Sequence, residues 1–237
     1  MAIVVNGATC SLSEAVIDKL LSWDVDVVAQ ESSHFERNSS LLKYSNSKLT
    51  TSGSGFTISF DDSDGDLVLG RDIIVHDLLP SRADKWLAPE IAAWVSGESY
   101  PAGPRYWLSV IDAAEAIAAI AKSGKTPDKL QMCGRREWLP KDSKAEFEML
   151  WARTIQGYTG QFTPATLFGY SISGMEVKPI SPDSSARPDL EPLHELLLEV
   201  NSDGWRPLIP FRTALMNLIA GIFENSEIHL SSGNRKG

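Results

Sequence analysis

Residues 105–121 read RYWLSVIDAAEAIAAIA. Tyr106 to Val110 predicts a short strand that runs straight into a helix. Asp112 is placed to cap that helix, since its carboxylate can accept from the free amides of the first turn. Glu115, three residues on, completes a capping box. Ala113, Ala116, Ile117 and Ile120 then fall at i, i+3, i+4 and i+7, a narrow face of small and branched side chains suited to close packing on a sheet.

Upstream, Ile3 to Val5 predicts a strand, followed by Asn6-Gly7-Ala8-Thr9 and a helix from Ser11 to Trp23 with Val16, Ile17, Leu20 and Leu21 buried. A second strand, Val25 to Ala29, ends at Gln30-Glu31. A strand–helix–strand unit of this length implies parallel strands. Arg71 to Leu79 reads as one strand entering a loop at Pro80, with a helix from Pro89 to Ser96 ended by Gly97. Between them, Ser32 to Gly70 is rich in Ser, Thr, Gly and Asp, and SNSK, TTSGSG and DDSDGD mark turns. Only Phe56 to Phe60 alternates there like a strand.

The order of arginine, aromatic strand, Val-x-Asp and Ala-rich helix resembles the R-D-[FY]-[IV]-x-V-x-D segment of the extended short-chain dehydrogenases, the NAD-dependent epimerases and dehydratases of nucleotide-sugars. The likeness runs nearly unbroken from Arg71 to Ala121. It returns in Arg187-Pro188-Asp189 and Gly204-Trp205-Arg206-Pro207 with Phe211 and Leu215, similar to the R-P-x-D … G-W-x-P ending of that family. It implies an α/β, Rossmann-like doubly wound parallel sheet with a small carboxy-terminal substrate lobe. Family members are about a third longer, and the shortfall lies between the second strand and Arg71. Fewer strands are therefore expected, five rather than seven. The expected division is a shortened core over 1–125, remaining core and substrate lobe over 126–225, and a polar, frayed tail over 226–237.

The resemblance also implies site residues. Gly7, Thr9, Cys10, Ser13 and Glu31 fall on the cofactor-binding opening T-G-x-x-G-x-x-G and its acidic ribose residue. Cys10 and Ser13 replace the second and third glycines, which allow approach to the pyrophosphate and close helix-to-strand packing. A Cys side chain there is expected to intrude on the phosphates, so NAD(P) binding is predicted to be weak. Two registers compete in the middle. Either Phe56 to Asp64 is the third strand with an acidic tail by the adenine, or Tyr44 and Lys48 are the Tyr-x-x-x-Lys catalytic pair, which must sit one turn apart on a helix. Arg105 and Arg187 match two arginines that grip a sugar-nucleotide diphosphate, where the planar guanidinium suits phosphate oxygens.

Downstream, Leu130 to Cys133 is a strand, Ser143 with Glu146 caps a helix carrying Phe147, Leu150, Trp151, Ile155 and Tyr158, and Val177 to Ile180 is a strand before a Pro- and Ser-rich loop to Ala186. A helix from Leu193 to Val200 turns Leu196, Leu197 and Val200 inward. The last helix packs Leu215, Leu218, Ile219 and Ile222.

Composition narrows the function classes. The 237 residues carry a net charge of −9, which repels phosphate and argues against a nucleic-acid partner. Two cysteines build neither a disulfide framework nor a zinc site, and of the histidines only His76, beside Asp77, has a suggestive neighbour. The start lacks the basic region and apolar run of a signal peptide, and no stretch is long enough to span a bilayer, so a cytoplasmic protein is expected. The expected ligand is a nucleotide-sugar or other small nucleotide, in a homo- or hetero-oligomer. Three readings stay open: a degenerate pseudoenzyme that keeps a nucleotide-sugar cleft, an active NAD(P)-dependent epimerase, dehydratase or reductase, and a non-catalytic assembly subunit.

Overall fold

The structure, a computed structural model of the chain, describes residues 2–61, 63–160, 177–179 and 187–233. The Pro- and Ser-rich loop up to Ala186, Ile180 and the Tyr158 side chain lie outside what it describes. The elements, in chain order, are β1 (Ile3–Asn6), α1 (Ser11–Ser22), β2 (Val27–Val28), α2 (Ser33–Arg37), α3 (Ser39–Tyr44), β3 (Leu49–Thr50), β4 (Phe56–Ser59), β5 (Leu67–Val68) and β6 (Ile73–Val75). They continue with β7 (Leu78–Leu79), α4 (Pro89–Val95), β8 (Leu108–Ser109), α5 (Val110–Ser123), β9 (Leu130–Met132), β10 (Arg136–Trp138), α6 (Pro140–Thr159), β11 (Val177–Pro179), α7 (Glu191–Asn201) and α8 (Phe211–Gly233).

The chain forms two units interleaved in sequence, not the successive blocks 1–125 and 126–225. One comprises 1–76, 110–133 and 186–208, the other 77–109, 134–185 and 209–237. In the first unit, five strands form a parallel sheet in the order β3-β2-β1-β4-β5, the shortened Rossmann-like core. A parallel bridge from Leu69 to Ile73 leads on to β6, which pairs in parallel with β9. Val16, Ile17, Leu20 and Leu21 of α1 are fully buried, and so are Ala113, Ile117 and Ile120 of α5. Helix α1 packs on α5, whose run of alanines permits the close approach.

Strand β4 pairs with β1, Ile3 opposite Phe56 and Val5 opposite Ile58. This corrects the reading of Phe56 to Asp64 as the third strand. The third strand is β3, two residues inside a polar run with no alternation to reveal it. Among the described residues, no helix stands in the connections 60–66 and 69–72 that flank β5. Parallel neighbours are ordinarily joined by a dozen or more residues with a helix, and these connections are shorter than that.

The second unit holds the parallel pair β7–β8, the antiparallel pair β10–β11 and helices α4, α6 and α8. Its core is aromatic. Trp94, Trp107, Phe147 and Phe211 are buried with Leu215, Leu218 and Ile219, and the rings of Trp107 and Phe211 stack with centroids 5.8 Å apart. Trp107 Nε1 donates to Ser143 Oγ at 2.9 Å, and Glu146 Oε1 lies 3.0 Å from Arg212 Nε. Ser143 and Glu146 thus lie within α6, which begins at Pro140 with no loop left for them to cap. Ile155 faces outward, 40% exposed. Helix α8 continues to Gly233, past the point where a frayed tail was expected.

Candidate functional site

The turn after β1 has the conformation of a glycine turn, with Gly7 at φ +66°. Two of its amides are bonded within the loop. Thr9 N–H donates to the Gly7 carbonyl at 2.8 Å, and Cys10 N–H donates to Ser13 Oγ at 3.1 Å. The Ser13 hydroxyl donates back to the Cys10 carbonyl at 2.8 Å, and the sulfur lies 3.3 Å from Ser13 Oγ. Cys10 and Ser13 therefore close a capping box on α1, both side chains buried. The sulfur is turned into the protein, against Ser13.

The crowding comes from Asp61. Because β1 and β4 are neighbours, Phe60 and Asp61 leave the sheet beside Gly7, and Phe60 N–H donates to the Asn6 carbonyl at 3.0 Å. A methyl group on Gly7 would lie 2.9 Å from Cβ, Cγ and Oδ2 of Asp61. Asp61 Oδ1 accepts from Ser59 Oγ and from the Ser63 amide, each at 2.9 Å, and also from the Ser63 hydroxyl. The Ser63 hydroxyl and amide, then the Ser59 hydroxyl, hold this carboxyl below the ordinary carboxylate range. The DDSDGD run was legible as a turn. That one of its carboxylates meets Gly7 depends on strand order, which no local pattern reveals.

At the end of β2, Glu31 Oε2 stands 3.3 Å from Nε2 of the fully buried His34. Neither that oxygen nor either ring nitrogen has a hydrogen-bond partner among the described residues. No local pattern singles out His34, which lies on the short helix α2.

Tyr44 and Lys48 do not form the expected pair. Tyr44 ends α3 and is 82% exposed, Ser45 is already extended, and Lys48 is exposed just before β3, its amide on Asp26 Oδ1 at 2.8 Å. No other Tyr in the chain has Lys four residues on. The requirement of one helical turn between the two is not met.

Arg105 belongs to the second unit and is enclosed by acids. Its Nε and Nη2 donate to the two oxygens of Glu90 at 2.5 and 2.9 Å, and its Nη1 donates to Asp77 Oδ1 at 2.9 Å. The Glu90 side chain is fully buried, and Asp77 Oδ2 accepts the Tyr106 amide at 2.7 Å. Burial pulls the guanidinium down, but the Glu90 bonds and the Asp77 charge more than offset it, so its pKa is raised. With two carboxylates on one cation, Arg105 offers no net positive charge to a phosphate; the geometry is that of a structural ion-pair triad. Asp77 is held at φ +51°, which breaks the expected strand Arg71 to Leu79 into β6 and β7. Arg187, in the first unit, differs: its Nε is buried without a partner among the described residues.

Two of the stretches that carry the resemblance meet in the first unit. Helix α5 starts at Val110, so Asp112 lies inside its first turn, and its Oδ1 accepts the Leu208 amide at 2.9 Å. Glu115 pairs with Lys19 at 3.1 Å and does not complete a capping box. Trp205 Nε1 donates to the Cys133 carbonyl at 3.0 Å, and its amide donates to His194 Nδ1 at 3.0 Å. Beside this clamp lies a cavity of about 160 Å³, lined by Asp112, Glu115, Asn201, Asp203 and Arg206 among others. His76 Nε2 lies 2.5 Å from Gln131 Oε1. Among the described residues, no group of three His, Cys, Asp or Glu side chains is arranged to hold a metal, and no helix is long and apolar enough to cross a membrane.

No family model matches the sequence, and neither does any curated protein. Solved structures share the fold. UDP-glucose 4-epimerase from Stenotrophomonas maltophila, with bound NAD and formylated UDP-arabinopyranose, aligns at TM-score 0.56 and 11% identity over 96% of this chain and 99% of that one. dTDP-glucose 4,6-dehydratase from Bacillus anthracis, in complex with NAD, aligns at TM-score 0.51 and 11% identity over 96% and 98%. The chain thus has the fold of NAD-dependent epimerases and dehydratases of nucleotide-sugars, as the resemblance implied.

Proposed function

We propose that the chain is a nucleotide-binding protein built on the epimerase/dehydratase fold that does not transfer hydride. The observation that carries this reading is the absence, among the described residues, of any helix between β4 and β6, together with the position of Tyr44 and Lys48 on an exposed edge. A proton shuttle of the expected kind needs a Tyr and a Lys on one helical face near the reacting carbon, and the described residues supply neither the helix nor the face.

NAD is bound in both fold neighbours. Gly7 keeps the turn and Glu31 keeps an acidic group suited to ribose hydroxyls. The amides of Thr9 and Cys10 are engaged within the loop, however, and an ionised Asp61 stands where a pyrophosphate would approach Gly7. The residues do not fit a dinucleotide. On the nucleotide-sugar side, Arg187 retains a buried donor without a partner among the described residues, which favours a phosphate-bearing ligand such as a uridine or thymidine diphosphate.

The test is a pair of measurements on the full chain. Incubation with NAD and UDP-glucose or dTDP-glucose should give no reduced nicotinamide and no altered sugar. Calorimetric titration with UDP should show binding that Arg187→Ala weakens about tenfold, the effect of one charge-assisted contact. Turnover of either sugar-nucleotide would overturn the reading.

A further inference from the structure

The chain leaving α7 returns across the first unit and is tied down at three points. The Trp205 indole donates to the Cys133 carbonyl at 3.0 Å, the Leu208 amide to Asp112 Oδ1 at 2.9 Å, and the Trp205 amide to Nδ1 of His194 at 3.0 Å. The third tie differs in kind. A carbonyl does not titrate, whereas an imidazole ordinarily takes a proton near neutral pH. A ring nitrogen accepts only while it carries no proton, so this bond exists only with His194 neutral and its own proton on Nε2. His194 is exposed on α7, where solvent protons reach it. Its ring is also closely placed: a methyl group on Gly204 would lie 2.4 Å from Cε1 and 2.5 Å from Nδ1, and Gly204 is held at φ +66°.

We infer that His194 is a proton-operated latch: neutral, it holds the Gly204–Trp205 stretch against α7, and protonated, it releases that stretch, which forms one wall of the cavity of about 160 Å³. With a proton on Nδ1, two N–H donors would face each other 3.0 Å apart, and one must move. The charged groups around the ring come from three sides. Its own helix carries Glu191, Glu195 and Glu199, the last held by Lys125. Helix α7 packs on α5, which carries Asp112, Glu115 and Lys122, and on β9, which carries no charge; the returning segment adds Asp203 and Arg206. Among the described residues none of these forms an ion pair with His194, so nothing clamps the charged ring where the neutral ring sits. The indole tie to Cys133 and the Leu208 tie to Asp112 do not involve the imidazole, which keeps the release local.

The experiment follows amide hydrogen exchange by NMR in the full chain, in His194→Asn and in His194→Phe, at about pH 8 and about pH 5.5. Each rate is compared with that of an unstructured peptide of the same sequence at the same pH, which removes the pH dependence of exchange itself. Asparagine keeps an acceptor near the place of Nδ1 and does not titrate; phenylalanine keeps a ring without an acceptor. In the unaltered protein, protection of the Trp205 amide should fall about tenfold between the two pH values, the effect of one hydrogen bond. In His194→Asn it should stay within about twofold, and in His194→Phe it should be low at both. The Trp205 indole N–H and the amides of β1 should keep their protection throughout. A change of less than about twofold at the Trp205 amide of the unaltered protein would overturn the inference, and so would an equal fall in His194→Asn. A loss shared by the indole and β1 would overturn it too, since the release would then be general unfolding. The comparison within the unaltered protein stands even if neither variant folds.

Discussion

Removing the Arg105 side chain separates the two roles weighed for it. Arg105→Ala leaves Glu90, fully buried, and Asp77, 12% exposed, as facing carboxylates without their shared cation. Stranding a buried charge in this way costs about 3–5 kcal/mol. The lower end applies, because the guanidinium is itself 32% exposed and water partly compensates its loss. A loss of about 3 kcal/mol lowers the melting temperature of a chain this size by roughly 6–12 °C. Arg105→Lys should fall between the two, since an ammonium keeps the charge but not the fork that engages both Glu90 oxygens. Melting followed by circular dichroism measures the stability, and UDP titration well below the transition measures the ligand. The structural triad predicts a large fall in melting temperature and UDP affinity unchanged within about twofold. A variant that melts within about 1 °C of the parent and loses UDP binding would refute the reasoning and restore Arg105 to the diphosphate.

Three other outcomes are expected. Gly134→Ala should destabilise by more than about 2 kcal/mol in urea unfolding, because its methyl would lie 2.2 Å from the Trp107 carbonyl oxygen and backbone must move. Asp72 accepts from Arg71 and from the Val68 amide, and chiefly the Arg71 bond holds its pKa below the ordinary carboxylate range. Its contribution is therefore complete above the unfolded value and is lost as pH falls from about 4 through the lower folded value. The urea midpoint of Asp72→Asn should fall less steeply over that range than that of the parent. Tyr44→Phe, at an exposed ring, should change stability by less than about 0.5 kcal/mol and leave any ligand binding unaltered, as calorimetry would show.

The parts legible in the sequence are those whose signal is local. β1, α1 and α5 declare themselves through apolar runs and a 3.6-residue period, and the glycine at position 7 announces its turn. Trp205 and Asp112 were legible as family features, and the structure gives them a common reason: each holds the returning chain, one through Cys133 and the other through Leu208. What stayed hidden depends on distant residues. Arg105 is bound by Glu90 and Asp77, 15 and 28 positions away, and an arginine before a strand looks the same whether its partner is a phosphate or a buried acid. Cys10 read as an obstruction because spacing says nothing of rotamer; its sulfur turns toward Ser13. The strands β3 and β4 were confused because pairing order is set by the whole sheet, and two residues of strand leave no periodicity to read.

The interleaving of the two units governs how the chain can fold as it leaves a ribosome. Each unit is assembled from three separate segments, and the first lacks α7 and the Trp205 clamp until residues 186–208 have been synthesised. By then most of the second unit's sequence has already emerged, still short of α8. Neither unit can mature vectorially ahead of the other, as successive blocks would. A nascent chain halted after β9 would hold the sheet and α5 with the apolar faces of Met132, Cys133 and Ala116 uncovered, a substrate for chaperones. For the same reason, no contiguous fragment of the gene encodes either unit alone, and joining its three segments through new linkers would be needed to study one without the other.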